Sequence, residues 1–492
     1  MAGYGLSKSR IISWKQCPKK LWLQIHRPEL IEDSQPNEQI FQVGNEVGEV
    51  ARGLYPEGIL IDDEDLSDAL DSTRRAMDVH PNKPIFEAAF QHEGVLVRAD
   101  LMLPARKGYR MVEVKSSASV KPYHVDDCAI QAWTLGMSGI PLRSVELAHI
   151  DTSFVYQGDG DYRGLFRYQN LDEQVHSLIE QVPEWIAEAR CTLAGSEPCI
   201  EPGSQCNDPF ECPFKSYCAR DLVLPDEPEY GLDILSGMHE TKKQKLRSMG
   251  YADALEVPVE HLNDTQKRIQ RVSRTGIPEL DPEAGGMLDA LPYPRCYLDF
   301  ETINFAVPRW AKTSPYRTQV TFQWSCHIEE APGKVRHEMF LDVSGSDPRR
   351  ACAERMIAVL GEDGPVFVYY QSFEKGRIME LSELFPDLAD MLLSINDRIV
   401  DLYPIAREHY YHPDMKGSWS IKSVLPTVAP DLDYTLLEVG NGGDAQEAYK
   451  EIIHPETSDE RRMMLTKGLE EYCALDTLAM VKLAWHFQGF GG

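Results

Sequence analysis

At 492 residues the chain is too long for a single hydrophobic core, so two or three domains are expected. Its content of 42% hydrophobic and 26% charged residues is ordinary for a soluble globular protein. No apolar run approaches the roughly 18 to 20 residues needed to span a bilayer, so no membrane association is expected. The net charge of −28 opposes tight non-specific binding of polyanions, but it does not exclude an enzyme whose metal sites are themselves built from carboxylates.

The N-terminal sequence lacks the unbroken apolar core of a secretory signal, which predicts a cytoplasmic protein. Eleven cysteines in a cytoplasmic chain are expected to stay reduced. This favours metal ligands or buried thiols over disulfides.

The N-terminal part of the chain shows alternating helical and strand-like patterns. Helices are predicted at 7–25, 37–55, 122–138 and 171–195, and strands at 84–90, 94–103, 108–117 and 145–156. A stretch rich in cysteine and proline closes this part at about residue 220. We therefore predict an α/β domain at 1–222.

The region that follows is interpreted as a helical connector at 223–290. It has a glycine turn at Gly250, which is also compatible with a helix–hairpin–helix, and a segment rich in Gly and Pro at 276–294 that is typical of a linker. A second α/β domain is predicted at 291–492, beginning with the strands RCYLDFET, VTFQWSCHI and HEMFLDV. A helix at 349–361 and the strand VFVYY follow.

A first group of chemically active residues lies on two successive strands of the N-terminal domain. Asp100 is on one strand, and Glu113 and Lys115 are on the next, with the latter two facing the same side of the sheet. Two carboxylates can hold divalent cations that activate water for attack on a phosphodiester, and a lysine can orient that water or stabilise the developing charge. Exposed strands often alternate such charges, but the flanking apolar residues Met111, Val112 and Val114 argue against an exposed strand.

This arrangement resembles the PD-(D/E)xK nuclease superfamily, in particular its RecB-like exonuclease branch. The resemblance implies roles for Glu87 on the preceding strand and for Gln131 on the following helix. The branch usually has a metal-binding histidine on its N-terminal helix, whereas GNEVGEVA offers Glu46 or Glu49 instead. The number of metal ions at this site therefore stays open.

Four cysteines form the second group. Cys206, Cys212 and Cys218 are spaced Cys-x5-Cys-x5-Cys, and Cys17 lies near the N-terminus. Zinc sites usually show shorter paired spacings, and the alternatives are a [4Fe–4S] cluster or unrelated buried thiols. The pattern resembles the iron–sulfur RecB-like nucleases, in which the cluster clamps the first helix to the segment that closes the domain. Cys199 is a rival ligand.

A third group is acidic and lies in the C-terminal domain. Asp299 and Glu301 share one side of a strand, and Tyr472 and Asp476 share one face of a helix. Glu374 lies just beyond another strand. Acids collected at one sheet edge can bind two metal ions suited to in-line attack on a phosphodiester, with the tyrosine hydroxyl positioning the water.

These motifs resemble, in order and in element type, the DnaQ-like exonucleases with an RNase H-like fold. That family usually has aspartate where this chain has Glu374, and Asp401 is a reserve candidate for the same position. Nearly the whole chain, including SIKSVLP, also resembles a bacterial family of undefined function that joins the same two modules.

The sequence thus predicts a PD-(D/E)xK, restriction-endonuclease-like domain joined by a small helical region to an RNase H-like, DnaQ-type domain. The expected activity is that of an exonuclease dependent on Mg²⁺ or Mn²⁺, acting on DNA ends in repair, in defence or in spacer processing. Nucleic acid, DNA in preference to RNA, is the expected partner, together with proteins of such a system. Two alternatives stay open, namely a non-catalytic N-terminal scaffold and an RNA exonuclease.

Overall fold

The computed structural model describes residues 5–32, 35–220, 228–432 and 437–490, with no side-chain description for 35–40. The chain has mixed α/β structure and forms two compact units. Unit 1 consists of Met1–Val223 and Asn304–Thr318, and unit 2 consists of Leu224–Ile303 and Gln319–Gly492. The boundary expected between residues 222 and 223 lies outside the described residues. Among the described residues, no helix has both the length and the apolar content to cross a membrane.

Unit 1 has a mixed sheet with helices packed against it. Its helices are α1 (Lys8–Gln16), α2 (Pro18–His26), α3 (Gln35–Gly53), α4 (Leu66–Val79), α5 (Pro122–Met137), α6 (Asp172–Ile179), α7 (Val182–Ala194) and α8 (Lys215–Ala219). Its strands are β1 (Leu6–Ser7), β2 (Ile59–Leu60), β3 (Ile85–His92), β4 (Val95–Ala105), β5 (Gly108–Lys115), β6 (Leu142–Ile150) and β7 (Phe166–Asn170).

The strand order of unit 1 is β2-β3-β4-β5-β6-β7, and β1 adds to the start of β4. The strands β3, β4 and β5 form an antiparallel meander, whereas β5 and β6 run parallel and are joined through α5. Helix α5 is buried over most of its length, because it packs against the sheet that it connects. This packing brings its polar residues to the strands of the meander.

Two helices predicted as continuous are interrupted. The helix expected at 7–25 is broken at Cys17, which has φ −162° and ψ 116°, because the following Pro18 disfavours the helical conformation in the preceding residue. The helix expected at 171–195 is divided into α6 and α7, and Pro183 lies in the first turn of α7. The strand expected at 145–156 ends at Ile150.

Unit 2 is also α/β. Its helices are α9 (Glu240–Ser248), α10 (Asp264–Thr275), α11 (Glu283–Asp289), α12 (Arg349–Leu360), α13 (Gln371–Leu384), α14 (Ala389–Asp397), α15 (Leu402–His409), α16 (Ile421–Val428), α17 (Gly442–Ile452) and α18 (Asp459–Phe487). Its strands are β8 (Glu279–Leu280), β9 (Arg295–Ile303), β10 (Val320–Ala331), β11 (Lys334–Leu341), β12 (Val366–Val368), β13 (Ile399–Asp401) and β14 (Tyr410–Tyr411).

The main sheet of unit 2 has the order β11-β10-β9-β12-β13. The first three strands form an antiparallel meander, and β12 and β13 run parallel to β9. Strand β9 is therefore central and nearly fully buried, which suits its apolar composition. The long helix α18 packs against β9 and β10.

The segment at 276–294 is not the loose linker that its Gly and Pro content indicated. It contains β8, which pairs with β14, and α11, whose Ala284 and Leu288 are buried in the core of unit 2. Tertiary packing here outweighs the local preference of glycine and proline for loops.

Residues 304–318, between β9 and β10, pack in unit 1 and not in the unit of the strands they connect. Ala306 and Val307 are buried in a cluster with Val47 and Val112 of unit 1. We call this segment the strap. It completes the core beneath one face of the unit 1 sheet.

Candidate active sites and cysteine centre

In unit 1, Asp100 and Glu113 lie where β4 and β5 separate. The ladder between these strands ends at the pair Leu101 and Val112. Beyond it, the Asp100 Oδ2 atom accepts a hydrogen bond from the Val114 N–H at 2.7 Å. The side chain of Asp100 thus takes the place of a backbone partner for β5, and this hydrogen bond keeps Asp100 beside Glu113.

Glu113 is 1% exposed and is held by three donors. The Nζ atoms of Lys8 and Lys115 donate to its Oε1 atom at 2.8 and 2.6 Å, and the Gln131 Nε2 atom donates to its Oε2 atom at 2.7 Å. Burial by itself would raise the pKa of Glu113, but the two ammonium groups hold it well below its usual range. Glu113 is therefore ionised at neutral pH.

Two members of this site were not predicted from the sequence. Lys8 lies in the first turn of α1, and Asp127 lies on α5 and accepts hydrogen bonds from Lys115 Nζ at 2.9 Å and Gln131 Nε2 at 3.3 Å. Asp127 precedes Gln131 by four residues on one helix, and this spacing was the available signal. Lys8 had no signal, because it meets Glu113 across 105 positions of sequence.

Lys8, Asp100, Glu113 and Lys115 line a cavity of about 340 Å³. Glu87 on β3 also lines it, has a φ of +53°, which is uncommon for glutamate, and pairs with Arg52 at 3.3 Å. Neither Glu46 nor Glu49, the acids considered in place of the missing histidine, is among the lining residues. Helix α3 instead contributes Phe41, Gly44, Asn45, Gly48 and Arg52 to the lining.

The donor set of this cavity fits a divalent cation. Burial, together with the charge of Glu113, raises the pKa of Asp100 to about 7. The nearby lysines therefore do not supply enough positive charge to stabilise its ionised form fully. Gln131 does not line the cavity but donates to Glu113, and its buried Oε1 atom has no hydrogen-bond partner among the described residues. Oxygen ligands of this type suit Mg²⁺ or Mn²⁺.

The four predicted cysteines line one cavity in unit 1. Cys17 lies at the break between α1 and α2, and the other three follow one another in the closing segment of the unit. The Cys212 N–H donates to the Cys206 carbonyl oxygen at 2.8 Å, which closes the loop between them. Cys199 is exposed and does not line the cavity.

The spacing of these sulfur atoms bears on the kind of metal they suit. All eleven cysteines are free thiols. No three of the four sulfur atoms lie within 4.8 Å of one another among the described residues, whereas one tetrahedral zinc ion would hold them about 3.8 Å apart. The four thiols thus line one cavity without the close spacing of a tetrahedral zinc site.

In unit 2, Asp299 and Glu301 project from the same side of β9. Ligand atoms of Asp299, Glu301 and Cys473 lie within 4.8 Å of one another. Cys473 is not among the site residues predicted from the sequence, and it lies on α18 between the predicted residues Tyr472 and Asp476. The strand and the helix thus meet at this point.

Two hydrogen bonds fix α18 on the sheet beside these acids. The Gln323 Nε2 atom donates to the Leu469 carbonyl oxygen at 2.8 Å, and the hydroxyls of Ser325 and Thr477 lie 2.8 Å apart. Ser325 pairs with Asp299 across β10 and β9, and Thr477 follows Asp476 in sequence. The hydrogen bonds therefore set the position of the helix residues against the strand residues.

Glu374 lies in the first turn of α13 and is 2% exposed. Its Oε2 atom has no hydrogen-bond partner among the described residues, and its charge acts on Asp299. Asp401, the reserve candidate, instead accepts backbone hydrogen bonds from Tyr370, Gln371 and Tyr403 at 2.9 to 3.0 Å. Asp401 thus has a structural role at the starts of α13 and α15.

The acids of this group oppose one another's ionisation. Burial raises the pKa of Glu301 to about 8, with a further contribution from Asp476, and burial raises that of Glu374 to about 8. Burial and the neighbouring carboxylates also hold the pKa of Asp299 well above its usual range. Such a cluster with an orphaned carboxylate oxygen fits divalent cations.

A cation of the chain also lies at this group. The Lys422 Nζ atom donates to the Gly440 carbonyl oxygen at 2.8 Å and lies 4.9 Å from the centre of the Tyr472 ring. Its charge partly offsets the raised pKa of Glu301. Lys422 belongs to the SIKSVLP stretch, which was noted in the sequence without a role.

Comparison with known proteins assigns no activity. A family model described as a domain of unknown function, DUF2779, matches residues 296–420. The chain is 26% identical over 214 residues to "Uncharacterized protein UU173" of Ureaplasma parvum serovar 3, a match that covers 39% of this chain and 31% of that protein. No solved structure matches.

Proposed function

We propose that this protein is a divalent-metal-dependent nuclease with two active centres, one in each unit. The observation that carries the proposal is the group of mutually repelling buried acids Asp299, Glu301, Glu374 and Asp476 beside Tyr472. Bound divalent cations would relieve this repulsion. On this proposal unit 2 is an RNase H-like, DnaQ-type exonuclease domain. The central position of β9 and the packing of α18 against it support that assignment.

In the unit 2 centre each group has a distinct task. Bound Mg²⁺ or Mn²⁺ would activate water and neutralise charge on the phosphodiester. The carboxylates of β9, α13 and α18 would hold the cations, and the Tyr472 hydroxyl would orient the attacking water. Lys422 attracts the phosphate group to the acidic site. The substrate is the 3′ end of a single strand, DNA in preference to RNA.

Unit 1 is proposed to be a RecB-like PD-(D/E)xK nuclease domain with a structural [4Fe–4S] cluster on Cys17, Cys206, Cys212 and Cys218. Its antiparallel meander, which carries Asp100 and the Glu113–Lys115 pair, supports this assignment. Lys115 orients water and stabilises the charge that develops during phosphodiester cleavage. The setting is cytoplasmic repair, defence or spacer processing, with further proteins as partners.

A second candidate for unit 1 is a non-catalytic scaffold that binds nucleic acid. The observation that favours it is the pair of lysines on one oxygen of Glu113, which compete with a metal ion for that oxygen. Among the described residues that line the cavity there is no histidine, and this also favours the scaffold candidate.

A nuclease assay on the full-length chain separates these possibilities. Single-stranded DNA and RNA, labelled at the 5′ or the 3′ end, are incubated with Mn²⁺ and with the variants Asp100→Asn and Asp299→Asn. We expect Asp299→Asn to slow removal of 3′ nucleotides by about 10²- to 10³-fold and Asp100→Asn to remove the remaining activity. EDTA should abolish both activities.

Asp397→Asn is the matched control, because Asp397 is an exposed carboxylate of unit 2 that is not part of the acidic group. It should retain full activity. Wild-type protein without activity on any of these substrates would overturn the nuclease proposal, and an effect of Asp299→Asn alone would favour the scaffold candidate. Cleavage confined to RNA would identify an RNA exonuclease.

The metal centre is tested by colour and composition. We expect anaerobically purified protein to absorb near 400 nm and to contain about four iron atoms per chain. Cys212→Ser should lose both signals, whereas Cys199→Ser should retain them, because Cys199 is exposed and outside the cavity. Colourless protein with one zinc ion would contradict the cluster.

A further inference from the structure

Lys20 is a buried ammonium group with no acidic partner. It is 6% exposed, and its Nζ atom donates to the Gln16 Oε1 atom at 2.7 Å. The neighbouring lysines differ, since Lys15 pairs with Asp126 at 2.6 Å and Lys19 pairs with Glu197 at 3.0 Å. In the part of the chain that the structure describes, Lys20 forms no such ion pair. A buried charge without a counter-charge is costly, so an anion is expected beside it.

The cysteine cavity is where that anion would be found. Lys20 lines the cavity together with the four cysteines. Thiolates that hold a metal centre in this cavity would supply the negative charge that a buried ammonium group requires.

Gln16 holds Lys20 in this position. The Gln16 Oε1 atom accepts from Lys20, and its Nε2 atom donates to the carbonyl oxygens of Gln205 and Phe210 at 2.8 and 2.6 Å. Gln205 and Phe210 flank Cys206 in the loop that leads to Cys212. The same network thus ties the ammonium group to the backbone that carries the cysteines.

We infer that Lys20 is the counter-ion of the metal–thiolate centre, and that it stabilises the bound cluster and makes the cluster easier to reduce. This inference rests on the proposed iron–sulfur centre. A cluster with four thiolates carries net negative charge, and net charge is one of the factors that set the reduction potential of such clusters. A positive charge beside it favours the state with one more electron. Lys20 is thus a positioning and charge-balancing residue and not a ligand.

The test uses the full-length chain with its iron. The variants Lys20→Gln and Lys20→Arg are compared with the wild type for iron content, for the rate of bleaching near 400 nm with a chelator, and for the midpoint potential from a redox titration followed by electron paramagnetic resonance. We expect Lys20→Gln to bleach roughly tenfold faster and to have a more negative potential. Lys20→Arg should restore both, because it restores the charge.

Lys15→Gln is the matched control, since Lys15 is near in sequence but pairs with Asp126 and is not among the residues that line the cysteine cavity. It should change both readouts much less. Lys20→Gln protein that holds full iron with the wild-type bleaching rate and potential overturns the inference while leaving the cluster proposal intact. If Lys20→Gln fails to fold, a potential for Lys20→Arg equal to that of the wild type supports the inference and a markedly different one overturns it.

Wild-type protein without iron would overturn the cluster proposal and, with it, the inference.

Discussion

At the residue scale, the acidic group of unit 2 brings buried carboxylates together with little cationic compensation. Burial raises the pKa of Glu301 and of Glu374 to about 8, far above the value of a carboxyl group in an unfolded chain. In the absence of metal, folding therefore favours the protonated forms of these groups. Their contribution to stability is present below the unfolded pKa and is lost as the pH rises through the folded pKa.

This gives a prediction for stability against pH. In EDTA, we expect the melting temperature of unit 2 to fall between pH 5 and pH 8, and we expect Mn²⁺ to raise it most at pH 8, where the carboxylates are ionised. Glu301→Gln should flatten the fall, because an amide does not titrate. Differential scanning calorimetry at several pH values measures this. A profile of Glu301→Gln identical to that of the wild type would contradict it.

Several site residues could be predicted from the sequence because short-range geometry fixes them. The spacings of Asp299 to Glu301 and of Glu113 to Lys115 match the two-residue period of a strand, and that of Tyr472 to Asp476 matches a helix turn. Lys8 and Cys473 were missed for different reasons. Lys8 meets its partner through distant pairing, whereas Cys473 occupies a position that is equally suited to a core thiol.

At the element scale, the strap is the least expected feature. Residues 304–318 follow the strand that carries Asp299, yet they pack in unit 1. The Thr313 carbonyl oxygen accepts from the Tyr156 N–H at 3.0 Å, and the Tyr162 hydroxyl donates to the Pro308 carbonyl oxygen at 3.0 Å. Unit 1 thus depends on a segment that comes from far along the chain.

A fragment comparison tests this dependence. A fragment of residues 1–222 lacks Ala306 and Val307, and the loss of Val307 burial alone is worth about 2 kcal/mol. We expect this fragment to be less stable to urea than the same fragment with residues 304–318 joined by a flexible linker. A strap that carries Val307→Asp is the control and should not restore stability. Equal urea unfolding midpoints for the fragment alone, the fragment with the strap and the fragment with the Val307→Asp strap would contradict the role of the strap.

The break at Cys17 is an example in which local chemistry sets an element boundary. Because Pro18 disfavours a helical conformation in the preceding residue, the first helix ends at Gln16 and Cys17 is extended, where it lines the cysteine cavity. The sequence pattern of apolar residues predicted one continuous helix, because periodicity alone does not register the restriction that proline imposes on its predecessor.

At the scale of the whole molecule, the net charge of −28 opposes binding of a polyanion through many phosphate contacts to basic side chains. On the proposed nuclease function, binding of nucleic acid should therefore depend on divalent cations at the two acidic sites. We expect the affinity for single-stranded DNA in Ca²⁺, measured by fluorescence anisotropy, to fall only weakly as salt is added. The slope of the logarithm of the binding constant against the logarithm of the salt concentration should be shallower than the value of about −4 that is typical of six phosphate contacts. Tight binding in EDTA, or a steeper slope, would contradict this.

The sequence by itself determined the mixed α/β character, most strands and helices, and which residues share a face, because these follow from periods of two and 3.6 residues. Only the tertiary structure decided that Lys8 and Asp127 join Glu113, that Asp401 caps helices while Glu374 joins the acids, and that the strap belongs to unit 1. These contacts join parts of the chain that are far apart in sequence. They are set by packing and by the satisfaction of buried polar groups, which no local pattern encodes.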